Sequence, residues 1–123
     1  MNSNMHCYMY VFILILVMSL SRVITWNVRG VTNCTAELKC KLDSCDVLFL
    51  SEHWLNDNQK SILTDLHSDF IVYVKCQQNH CSPRGAGGVA MFVRKQDNCT
   101  VTALHIPDSD HMIAVRLDRK SVV

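Results

Sequence analysis

Short apolar runs alternate with polar, helix-forming segments along this chain. An uncharged run, CYMYVFILILVMSL, fills residues 7–20. Arg22 to Val28 (RVITWNV) is rich in β-formers and ends at Arg29-Gly30, a turn signal, which predicts a strand. Thr35 to Leu42 holds Ala36, Glu37, Leu38, Lys39 and Lys41 and predicts a helix, with Thr32 or Thr35 placed to cap it. Asp46 to Ser51 (DVLFLS) holds a short continuous apolar run, Val47 to Leu50, as in a strand covered on both faces. Asn58 to His67 has Ile62, Leu63 and Leu66 on one side and predicts a second helix. Phe70 to Val74 predicts a strand, and the polar, glycine-containing Gln77 to Gly87 a loop. Gly88 to Arg94, Thr100 to His105 and Met112 to Leu117 then predict three strands. With no helix between them, these three are expected to be antiparallel neighbours. Lys120 to Val123 reads as the start of one more.

This order predicts a mixed α/β plan in which a sheet packs under helices. A last β-type segment without a following partner is what a fold cut short would leave. Domain organisation is expected as an apolar extension over residues 1–21 and one α/β unit over 22–123.

Bulk properties narrow this little. The chain has 123 residues, room for one domain, and a formal net charge of +1. The overall charge does not advertise nucleic-acid binding; Arg84, Arg94 and Lys95 are candidates for a local basic surface. The seven cysteines contain no C-x-x-C pair. Cys76, His80 and Cys81, with Cys40 and Cys45 upstream, do not match zinc-site spacing, so scattered thiols are the expectation. The run at 7–20 is short for a membrane span, which needs about 20 apolar residues. It suits a signal-peptide core, with Ser19 and Ser21 as small residues, but no Lys or Arg precedes it. Asn-Cys-Thr triplets at Asn33 and Asn98 fit a secreted chain. A signal or anchor, with membrane association only in that case, and a plain extension with a buried strand both stay open. An intracellular, nuclear location is favoured.

Two strand ends carry candidate chemistry: Trp26-Asn27-Val28-Arg29-Gly30 and Leu50-Ser51-Glu52-His53-Trp54. In α/β sheets, ligands bind beyond the carboxyl ends of strands. If the two strands are neighbours joined by the intervening helix, Asn27 and Glu52 face one cleft. A carboxylate there suits Mg²⁺, a hard cation that takes one or two carboxylates from protein. An amide can orient a phosphate oxygen or a metal-bound water without adding charge. Spacing alone favours an ordinary solvent-exposed strand-end acid at Glu52.

V-I-T-W-N-V-R-G, then D-V-L-F-L-S-E-H-W-L, then G-A-G-G-V-A-M-F-V-R, in that order, resembles the endonuclease/exonuclease/phosphatase superfamily. The chain looks most like the endonuclease domains of LINE-type (non-LTR) retrotransposons, over Arg22 to its C-terminus and the first part of the family's domain. The resemblance implies a four-layer α/β sandwich like that of DNase I, with mixed sheets and outer helices. It implies cleavage of a DNA phosphodiester with Mg²⁺, or Mn²⁺ in its place. It makes Glu52 the metal ligand and Asn27 the phosphate-binding asparagine, both catalytic. The metal would polarise the phosphate while a histidine–aspartate pair activates water.

The family's later Gly-Asp-x-Asn motif does not occur in this sequence. Ser109-Asp110-His111 spells its terminal motif, but falls too early and is followed by Met112-Ile113 rather than proline. Gly85, Gly87 and Gly88 precede a strand rather than a helix, so they predict a turn or bulge and not a phosphate loop. His53 is expected as an exposed polar neighbour, with substrate contact as the alternative, and Trp54 as packing on the sheet edge. Three functions follow as expectations: a truncated retroelement endonuclease, a secreted DNase I-like phosphodiesterase, or a non-catalytic remnant or binding module. No protein partner is implied.

Overall fold

The apolar run VLFLS leaves no polar face to give to water, and it becomes the centre of the molecule. The computed structural model describes residues 22–77, 87–106 and 112–119. The apolar run at 7–20, Arg84, Gly85, His80, Cys81, Ser109-Asp110-His111 and residues 120–123 lie outside them. Element order is β1 (Val23–Asn27), α1 (Thr35–Asp43), β2 (Val47–Ser51), a 3₁₀ turn (Asp57–Gln59), α2 (Ser61–Thr64), β3 (Phe70–Lys75), β4 (Val89–Arg94), β5 (Cys99–Leu104) and β6 (Ala114–Arg119). β1, β2, β4 and β3 form one sheet in that order, and β5 and β6 a second. β1 and β2 are parallel, joined through α1; β4 is antiparallel to both β2 and β3. β3 therefore runs parallel to β2. The ends of β1, β2 and β3 and the start of β4 share one edge of the sheet.

Alternation along the central strands sorts side chains onto two faces. Leu48, Leu50, Ala90 and Phe92 join Leu38 and Leu42 of α1 and Leu63 of α2 in one core. Val47, Phe49, Val89, Met91 and Val93 join Ile113, Val115 and Leu117 in the other. The described molecule is thus mixed α/β in three layers: helices, a four-stranded sheet and a two-stranded sheet. Each fully buried Leu or Phe stabilises the fold by roughly 1.5–3 kcal/mol. No helix among the described residues is long and apolar enough to cross a membrane.

The expectation that β4, β5 and β6 are successive neighbours is corrected. β5 pairs with β6, but β4 inserts between β2 and β3. The reason is in the side chains. VAMFV of β4 is buried throughout, which requires an interior position, whereas β5 keeps an exposed face in a two-stranded sheet. The helix expected over Asn58–His67 is also shorter. A capping box between Asn56 and Gln59 starts the 3₁₀ turn, and only Ser61–Thr64 is α-helical. Leu63 is still buried, with Ile62 and Leu66 packed beside it. Neither Thr32 nor Thr35 caps α1: Cys34 occupies the N-cap without a side-chain bond.

Arg94 and Lys95 do not form a free basic patch. Arg94 closes the end of α1, donating from Nη2 to the Leu42 carbonyl at 2.7 Å and from Nε to the Cys45 carbonyl at 3.1 Å. Its guanidinium also lies 4.6 Å from the Phe70 ring centre and beside Asp46. Lys95 donates to the Ser68 carbonyl at 3.0 Å. Cys34, Cys40, Cys45, Cys76 and Cys99 carry thiols rather than disulfides. Burial pushes the Cys45 thiol up, and burial, with Asp57 beside it, pushes Cys76 up to about 11.

Candidate functional site

Parallel pairing of β1 with β2 aligns Asn27 with Ser51 and leaves Glu52 one residue past the strand end. The ladder then continues without regular geometry. Val28 donates to the Ser51 carbonyl at 3.0 Å, Gly30 to that of Glu52 at 2.9 Å and Val31 to that of His53 at 3.1 Å. From the other side, the Glu52 N–H donates to the Gly88 carbonyl at 2.7 Å and the Trp54 N–H to that of Gly87 at 2.9 Å. Glu52 is held on both sides by backbone.

This pinning enforces an unusual conformation. Arg29 (φ 50°), Glu52 (φ 57°) and Trp54 (φ 61°) are the non-glycine residues in the left-handed region among those described. All three lie at this edge. Each such residue costs on the order of 1–3 kcal/mol and persists where its surroundings over-determine it. Gly30 and Gly88 also have positive φ, and both are crowded. A Cβ on Gly30 would stand 2.8 Å from Trp54 Cε3, and a Cβ on Gly88 would overlap the His53 ring. Trp54 thus packs over the β1 turn.

The kink turns the Glu52 carboxylate toward Asn27. Asn27 Nδ2 donates to Glu52 Oε2 at 2.7 Å. Asn27 is exposed and Glu52 half-buried, so the pair is open to solvent. The two residues singled out from the strand ends are brought into contact. Asn27 has a second amide N–H and its Oδ1, neither of which bonds to the described residues. Glu52 Oε1 makes no hydrogen bond to the described residues. Among those residues no group of three or more His, Cys, Asp or Glu side chains clusters as a metal cage.

His53 contradicts the expectation of an exposed neighbour. Its side chain is fully buried. Nδ1 accepts from the Leu55 N–H at 2.9 Å, which leaves the proton on Nε2 to donate to the Lys75 carbonyl at 2.9 Å. Burial, above all, holds its pKa below the ordinary imidazole value. His53 therefore ties the end of β2 to the end of β3 and cannot reach substrate. The signal for this in the sequence was a histidine just past a buried strand, opposite a pair of glycines.

A second histidine pairs with a carboxylate, His67 Nε2 with Asp43 Oδ1 at 2.8 Å. It sits where β3 begins, at the opposite end of the sheet from Glu52, and is no partner for the candidate site.

No protein-family model, curated protein or solved structure matches this chain.

Proposed function

We propose that Asn27 and Glu52 form the divalent-cation corner of a phosphodiester-cleaving site, in the N-terminal part of a domain of the endonuclease/exonuclease/phosphatase type. The observation that carries the reading is the 2.7 Å bond between these two side chains at the carboxyl ends of parallel neighbours. The backbone cost of holding Glu52 at φ 57° supports it, since such strain collects where function needs a side chain aimed.

The donor set fits Mg²⁺ or Mn²⁺ modestly. Mg²⁺ takes one or two carboxylates and keeps several waters. Glu52 would hold it, and Asn27 would orient Glu52 through Oε2. When bound, the cation polarises a phosphoryl oxygen and stabilises the leaving oxygen. Asn27's remaining N–H is the group for a phosphate oxygen. Neither His53, buried with both nitrogens engaged, nor His67, at the far end of the sheet, can serve as base. A site without a general base is slower by about 10²–10⁴.

The three described layers are compatible with a four-layer, DNase I-like sandwich, which we take as the parent fold. DNA is the proposed substrate and nicking for retrotransposition the ancestral activity. The test is relaxation of supercoiled plasmid with Mg²⁺. Slow nicking that Glu52→Ala removes supports the proposal. Nicking equal in both proteins, or absent from both, overturns it; absence from both leaves a non-catalytic binding module.

A further inference from the structure

The cross-strand register lines up four residues along one edge: Asn27 opposite Ser51, Ser51 opposite Val89, and Val89 opposite Lys75. Residues in one such row share a face. Val89 packs in the core between the two sheets, so this face is the one turned toward β5 and β6. Three inter-strand spacings separate β1 from β3, about 14 Å. Lys75 is thus at the same sheet edge as Glu52, on the same face as Asn27.

The end of β5 comes over this edge. Ala103, Leu104, His105 and Ile106 wall a cleft of about 470 Å³ against Lys75. That is within the usual range for small-ligand sites, about 300–1,000 Å³. Its chemistry is divided. Leu104 is 46% exposed, a large apolar side chain left in water, and His105 is exposed beside it. Lys75 brings a cation. The Lys75 carbonyl is fixed by His53, so the strand end that presents its side chain is tied to the Glu52 turn.

We infer that this cleft is a subsite for a single-stranded stretch of polynucleotide, one phosphate on Lys75 and a base against His105 and Leu104. Grooves that hold single strands combine a cation for the backbone with a flat or aromatic surface for the base. The inference rests on the phosphodiesterase reading in one respect: a strand lying here would extend from a phosphate at Glu52 along the sheet edge.

The test separates the two. A fluorescein-labelled single-stranded oligonucleotide is titrated by anisotropy in EDTA, where Glu52 has no cation to hold. Lys75→Gln and His105→Ala should each weaken binding by about tenfold, and Lys75→Arg should restore it. The slope of log K against log salt should fall by about 0.7 in Lys75→Gln, one phosphate contact on a single strand. Lys39→Ala, an exposed cation on α1, should change nothing. Equal weakening by Lys39→Ala, or none by Lys75→Gln and His105→Ala, overturns the subsite and leaves the Glu52 reading standing. Loss of Mg²⁺ binding is read separately in Glu52→Gln; if that variant still binds Mg²⁺ while Lys75→Gln loses the oligonucleotide, the cation reading falls and the subsite stands.

Discussion

Asn27 Nδ2 donates to Glu52 Oε2 at 2.7 Å, from the last residue of one strand to the first residue past its parallel neighbour. Asn27→Asp replaces that bond by two facing carboxylates. At a water-exposed site their repulsion is worth about 1 kcal/mol. A cation that accepts two carboxylates reverses the sign. The melting temperature of Asn27→Asp is expected below wild type in EDTA and above it in Mg²⁺. An equal lowering in both buffers would show that no cation binds between them.

Glu52 sits at φ 57°, where glycine is at ease and other residues are strained. Glu52→Ala and Glu52→Gly both remove the carboxylate. In a regular strand the glycine variant is the less stable by about 0.5–1 kcal/mol. Here the order should invert, with Glu52→Gly more stable than Glu52→Ala by about 1 kcal/mol. Urea unfolding of the pair checks this, and the ordinary order would mean the left-handed turn relaxes in solution.

Burial keeps His53 neutral in the folded protein, with its pKa below the ordinary 6.5. The unfolded chain then binds more protons below that value. Stability contributed by His53 is therefore full above about pH 6.5 and is lost as pH falls toward the folded pKa. His53→Gln should flatten this limb of the stability-versus-pH curve while lowering stability at neutral pH. Gly88→Ala, which drives a methyl into the ring at φ 91°, should destabilise by about 2–5 kcal/mol. A curve unchanged by His53→Gln would place the acid sensitivity elsewhere.

Arg94 joins the end of α1 to the sheet through the Leu42 and Cys45 carbonyls. Arg94→Ala should cost about 2–4 kcal/mol, because two carbonyls lose a charged donor. Arg94→Lys should recover only part of this, since an ammonium cannot reproduce the fork. Oligonucleotide affinity per folded molecule should not change in either variant. A selective loss of affinity at unchanged stability would restore Arg94 to the binding surface.

The strands β1 and β2 and helix α1 were legible because each carries a strong local pattern, and their parallel pairing follows from the connecting helix. That was enough to bring Asn27 and Glu52 to one place. The position of β4 was not legible. Local pattern marks VAMFV as buried, but its seat between β2 and β3 depends on a pairing, Ser51 with Val89, far apart in sequence. The helix after Asn56 is shorter than its pattern implies: three apolar residues at helical spacing give the period, while the Ser, Thr and Asp around them favour turns. The burial of His53 is hidden in the sequence for a related reason. A polar residue beside a strand end is usually solvated, and only Gly88, the Leu55 N–H and the Lys75 carbonyl arriving from other segments make a closed pocket for it.

Glu52, oriented by Asn27, is proposed to hold a divalent cation. Titration of Mn²⁺ into the full chain, followed by electron paramagnetic resonance of the free ion, reads this without any substrate. Wild type should take up Mn²⁺, Mg²⁺ should compete it off, and Glu52→Gln should bind at least about tenfold more weakly. Equal uptake by wild type and Glu52→Gln would contradict the account.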